Sequence, residues 1–108
     1  MLELSKSQLQ ILSRLNSLGF SVVAFPMYAN CVGIRRGDCA ALLSPDHAGF
    51  RFLGEPSWLV NGNLSVKITD GEQQFFVWKK SRVVATSEIL AALAEFANEL
   101  RAALNSTQ

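Results

Sequence analysis

The chain has 108 residues, of which 49% are hydrophobic and 18% are charged, and its formal net charge is +1. This apolar content excludes a disordered chain, and the length predicts a single domain over residues 1–108 that folds without disulfide or metal support. A net charge so close to zero excludes a general attraction to nucleic acid or membranes, so any such binding must depend on a local patch.

The first predicted element is a helix over residues 5–18. Ser5 and Gln8 have the spacing of a capping box, and Gly19 stands where a helix commonly ends in glycine, so Phe20 can fold back onto the last turn. The apolar side chains keep helical spacing: Leu9, Leu12, Leu15 and Leu18.

Short strand-forming segments follow the helix. We expect strands at residues 20–25, 28–34, 39–43 and 50–53, separated by Pro26, by a turn at residues 35–38 and by a loop at residues 44–49. The turn places Cys39 opposite Ile34 or Arg36 and therefore away from Cys31, so we expect two free thiols and no disulfide.

Residues 58–79 predict three consecutive antiparallel strands. Asn61-Gly62 and Asp70-Gly71 lie between runs of strand-forming residues, and both dipeptides favour the positive φ angles of a two-residue hairpin turn. Such turns would join neighbouring strands of one sheet into a meander.

Pairing these strands residue by residue gives a sheet with two unlike faces. With two-residue turns, Val60 lies opposite Asn63 and Val66 lies opposite Phe75, and successive side chains alternate between the faces. The aliphatic face carries Leu59, Leu64, Val66, Ile68, Phe75 and Val77, and we expect the helices to cover it. The aromatic face carries Trp58, Val60, Asn63, Ser65, Lys67, Gln74, Phe76 and Trp78.

The aromatic face is the predicted binding surface. Its outer strands would hold aromatic side chains about 10 Å apart over a low floor at Ser65, forming a shallow groove. The predicted binding residues are Trp58, Ser65, Lys67, Phe76 and Trp78.

Two functions are consistent with this surface. An uncovered aromatic patch favours association with another protein or, as a symmetric homodimer, with a second copy of the chain. Aromatic side chains beside Lys67, Lys79, Lys80 and Arg82 favour instead the binding of single-stranded nucleic acid or an anionic ligand. If one of the helices covers the aromatic face, no free patch remains there.

The last predicted element is a helix that begins after Thr86, which can cap it, and ends in a frayed tail at residues 105–108. Its apolar stripe is Ile89, Leu93, Phe96, Leu100 and Leu104. The fold class is therefore α+β, an antiparallel meander of five to seven strands flanked by an N-terminal and a C-terminal amphipathic helix. The strand count and the final helix superficially resemble the pleckstrin-homology-like fold, from which the N-terminal helix departs.

One further set of residues could carry chemistry. Cys31 and Cys39, with His47 and the nearby Asp38 and Asp46, could form a thiol enzyme if a histidine activated a thiolate. Buried, inert cysteines and a solvated histidine are the simpler interpretation. The spacing fits no zinc pattern, and no phosphate loop or dinucleotide motif is present, so we expect no enzyme activity, metal or cofactor.

The sequence also bears on localisation. Polar residues interrupt the N-terminal apolar segment, which is unlike the core of a signal peptide, and no apolar run approaches the roughly 20 residues of a membrane span. We therefore expect a cytoplasmic protein in a reduced state, with no membrane partner.

Overall fold

The computed structural model describes residues 3–107, with side chains described as far as residue 105. Its elements in chain order are α1 (Lys6–Ser17), β1 (Ser21–Val23), a 3₁₀ turn (Pro26–Tyr28), β2 (Val32–Arg36), β3 (Cys39–Asp46), β4 (Gly49–Phe52), β5 (Ser57–Val60), β6 (Asn63–Leu64), β7 (Val66–Asp70), β8 (Gln73–Trp78), β9 (Ser81–Val84) and α2 (Ser87–Thr107). The predicted α+β class, with antiparallel strands flanked by two helices, is confirmed.

The strands form two antiparallel sheets. The first sheet has six strands in the order β1-β2-β3-β5-β6, with β4 pairing to β3, and the second has three strands in the order β7-β8-β9. In the first sheet Cys39 pairs with Arg36, one of the two predicted positions, and both cysteines are free.

The N-terminal helix begins and ends as its sequence predicts. Ser5 and Gln8 form the reciprocal capping box, and Gly19 adopts a φ of 97° just beyond the helix. The amide of Phe20 donates to the carbonyl oxygen of Leu15 at 3.0 Å, which completes a Schellman motif.

The main core lies between the helices and the sheets. Its side chains that are fully or almost fully buried include Leu15 of α1, Ile34 and Leu43 of the first sheet, and Phe96 and Leu100 of α2. The stripe predicted for α2 is thus mostly buried, although the helix continues through Thr107 rather than fraying at residue 105.

The loop predicted at residues 44–49 is wrong. β3 continues through Pro45 to Asp46, where Pro45 pairs with Phe50 of β4. A proline is tolerated here because the pairing of β3 with β2 ends at Leu43, so no neighbour on that edge requires an amide hydrogen from Pro45. His47 and Ala48 form the tight turn, with His47 at a φ of 53°.

Candidate functional site

The first of the two turns predicted within residues 58–79 has the predicted geometry. Asn61 and Gly62 have φ angles of 53° and 78°, as a type I′ turn requires, and Val60 pairs with Asn63. This short loop fixes the register of β5 with β6.

The second turn is displaced by one residue. Gly71 and Glu72 occupy the loop, with Asp70 paired to Gln73, so Val66 lies opposite Val77 rather than Phe75. Glycine provides the positive φ at the first loop position, where a type II′ turn needs it. The register therefore moves by two residues, which leaves each side chain on its predicted face.

The predicted middle strand is broken at Ser65. Residues Asn63–Leu64 belong to the first sheet and Val66–Asp70 to the second. The Ser65 hydroxyl donates to the carbonyl oxygen of Trp58 at 2.6 Å. The hydroxyl oxygens of Ser57 and Ser65 lie 3.0 Å apart, within hydrogen-bond distance. These bonds hold the chain where it passes from one sheet to the other.

The expectation that the helices cover the aliphatic face is wrong for the second sheet. Phe76, on the opposite face, is 2% exposed and belongs to the core with Leu93 and Phe96 of α2. Val66 and Ile68 are instead 67% and 39% exposed. We call the covered side of β7–β9 the inner face and the other side the outer face.

The five predicted binding residues therefore do not form one open patch. Trp58 and Trp78 are half-buried and pack against the core, and Phe76 is buried. Ser65, Lys67 and Phe76 do come together, since all three line one groove of about 460 Å³ between α2 and the inner face. Binding at these positions stays a prediction.

The other wall of this groove comes from α2. It consists of Leu90, Leu93, Ala94, Ala97 and Arg101. The sequence contained a partial signal for this wall, because alanines on an amphipathic helix favour close approach to a sheet. The position of Arg101 beside Lys67 in this groove could not be foreseen, since the strand carrying Lys67 gives no information about which helix residues lie beside it.

The outer face is a small, mostly apolar surface with one ion pair across it. It carries Val66, Ile68, Asp70, Gln73, Phe75, Val77, Arg82 and Val84. The Arg82 guanidinium carbon lies 3.8 Å from the centre of the Phe75 ring, and Arg82 Nη2 lies 3.4 Å from Asp70 Oδ2. Val84 is 43% exposed, so solvent reaches apolar side chains on both edge strands of this sheet.

Two of the residues considered for thiol chemistry lie in unlike surroundings, Cys39 in the core and His47 in solvent. Burial is the main cause that raises the pKa of the Cys39 thiol above its ordinary value of 9.0, opposed by nearby Arg36. The imidazole of His47 is 96% exposed, and its nearest charged contact is Asp46 at 3.7 Å. Among the described residues, no three potential metal ligands converge.

Comparison with known proteins identifies no relative of this chain. No protein-family model matches the chain, and neither a curated protein nor a solved structure is similar to it. Neither described helix is long and apolar enough to cross a membrane.

Proposed function

We propose that this protein is a non-enzymatic interaction domain that associates as a symmetric homodimer through the outer face of β7–β9. The observation that carries the proposal is the exposure of Val66, at 67%, beside Ile68 and Val84 on the same sheet face. The sequence suggested association through the aromatic face, and the burial of Phe76 moves the proposed contact to the other side of the sheet.

A second copy of the chain is the occupant that fits this face best. The face bears one cation, Arg82, and one carboxylate, Asp70. In a dimer with a two-fold axis, Arg82 of each copy can therefore pair with Asp70 of the other copy. A net charge of +1 gives little repulsion between copies. We place this association in the cytoplasm, because Cys31 and Cys39 are free thiols and cysteines usually stay reduced in that compartment.

The size of the face predicts a weak dimer. Three strands about 4.8 Å apart, with outward side chains roughly 7 Å apart along each strand, give a face of roughly 200–300 Å². Stable complexes bury about 800 Å² on each partner, so this contact should be transient and dependent on concentration.

Sedimentation equilibrium over a wide range of protein concentration tests the proposal. The wild-type chain should dimerise, and a Val66→Ser/Ile68→Ser variant should associate at least about tenfold more weakly. Full burial of such a side chain is worth about 1.5–3 kcal/mol, and association can bury only the exposed 67% of Val66 and 39% of Ile68, on each of two copies. Val22→Ser, at a position 45% exposed in β1, is the matched control and should leave the equilibrium unchanged. A strict monomer at every concentration would contradict the proposal, and so would equal weakening by the control.

A further inference from the structure

The groove between α2 and the inner face has an apolar wall on the helix side, a mixed wall with Ser57 and Ser65 on the sheet side, and a charged rim. Phe76 lies on the sheet side, and Leu90, Leu93, Ala94 and Ala97 form the helix side. Its volume of about 460 Å³ lies within the roughly 300–1,000 Å³ typical of small-molecule sites. These dimensions and walls suit a short apolar chain or ring.

The rim carries two cations and one carboxylate. Lys67 and Arg101 line the groove together with Glu55, and none of the three forms an ion pair with another described residue. The groove therefore has one uncompensated positive charge at its mouth. A single anionic group can be attracted by both cations, since both side chains line the same opening.

Two contacts restrict the Arg101 side chain. Its guanidinium carbon lies 5.4 Å from the centre of the Phe52 ring, and its Nη1 donates to Asn98 Oδ1 at 3.3 Å. A guanidinium has five N–H donors, so these contacts restrict the side chain while leaving other donors available for a ligand.

We propose that this groove binds a small amphipathic monoanion of the medium-chain carboxylate class. The carboxylate contacts Lys67 and Arg101, and the apolar chain lies along Leu90, Ala94 and Ala97 of α2, which are half-buried or exposed. The site is separate from the outer face of β7–β9, so this inference goes beyond association.

The charge and burial of the groove favour a monoanion over single-stranded nucleic acid. Nucleic acid requires exposed aromatic rings for base stacking and several cations along the phosphate backbone. Phe76 is only 2% exposed, and Glu55 cancels one of the two cations that line the groove. A ligand with one negative charge matches this charge balance, and its apolar body does not depend on an exposed aromatic ring.

Titration calorimetry with three probes of equal chain length tests the proposed ligand class. Octanoate should bind more tightly than octanol, and octylammonium should bind most weakly because its charge has the wrong sign. Equal affinity for octanoate and octanol would overturn the proposal, as would preference for octylammonium or no detectable octanoate binding.

Single substitutions then locate the site. Lys67→Gln and Arg101→Gln should each weaken octanoate binding roughly fivefold, the upper range for exposed charge pairs, with octanol unaffected. Glu55→Gln should strengthen octanoate binding, and Lys80→Gln, which removes a lysine from the turn after β8, is the matched control.

Two results from these variants would overturn the assignment of the groove. One is an equal loss of octanoate affinity in the Lys80→Gln control. The other is displacement of octanoate by a single-stranded oligonucleotide whose own binding is lost in the Lys67→Gln variant. That result would support the nucleic-acid alternative instead. The Val66→Ser/Ile68→Ser variant should still bind octanoate, so failure of this site and failure of the dimer are distinguishable.

Discussion

Two neighbouring phenylalanines provide a direct test of which face of the second sheet is buried. Phe75 and Phe76 are adjacent in β8 and point to opposite faces, so Phe75→Ala and Phe76→Ala remove the same atoms from two different environments. The sequence pairing assigned Phe75 to the covered face, whereas Phe76 is the one that packs in the core.

The expected costs of the two substitutions differ severalfold. Phe76 is 2% exposed, and truncating a buried phenylalanine to alanine typically costs about 3–5 kcal/mol, from lost burial and from the cavity left behind. Phe75 is half-buried beneath the Arg82 guanidinium, so its truncation should cost about 1–2 kcal/mol. For a domain of this size, about 4 °C per kcal/mol converts the Phe76 loss to a fall of about 12–20 °C in Tm.

Chemical denaturation of dilute protein measures both free energies of unfolding. Dilution keeps the chain monomeric, so association does not contribute to either value. A Phe75→Ala loss equal to or larger than the Phe76→Ala loss would refute the assignment of inner and outer faces.

Two further predictions concern buried polar and ionisable groups. Gln8→Ala removes side-chain hydrogen bonds of 2.9 and 3.1 Å to the carbonyl oxygens of His47 and Gly49, and also the capping-box bond that Gln8 Oε1 accepts from the Ser5 amide. The free energy of unfolding should fall by about 1–3 kcal/mol, whereas the exposed Gln10→Ala should change it little, and similar losses would contradict the structural role of Gln8. Because folding raises the pKa of the Cys39 thiol, its contribution to stability is complete below the ordinary pKa of 9.0 and is lost as the pH rises through the higher folded value. Cys39→Ala should therefore reduce the fall in the free energy of unfolding at alkaline pH. The same fall in the variant and the wild-type chain would refute this contribution of Cys39.

The features that the sequence predicted well are those set by local chemistry. The capping box at Ser5, the glycine stop at Gly19 and the hairpin at Asn61-Gly62 each depend on residues within a few positions of one another. The alternation of side chains along β7 and β8 was also predicted correctly, because a period of two follows from strand geometry alone.

The features that the sequence did not predict depend on distant contacts. Alternation shows that a strand has two faces, but both faces of β8 carry a phenylalanine, so the pattern could not identify the one that meets α2. The break at Ser65 coincides with its hydrogen bond to Trp58 in a preceding strand, and Pro45 fits in β3 because the pairing of β3 with β2 does not extend beyond Leu43. The Arg101 wall of the groove likewise arises from the packing of a helix far along the chain.

The most direct measurement of the association surface is methyl NMR during serial dilution of the wild-type chain. We expect the signals from Val66, Ile68 and Val84 to shift together with protein concentration and to follow one dimerisation curve, while those of Val22, which is 45% exposed in β1, stay constant. Concentration-dependent shifts confined to other methyl groups would contradict dimerisation through the outer face of β7–β9. So would the absence of any shift over a concentration range that detects weak dimers.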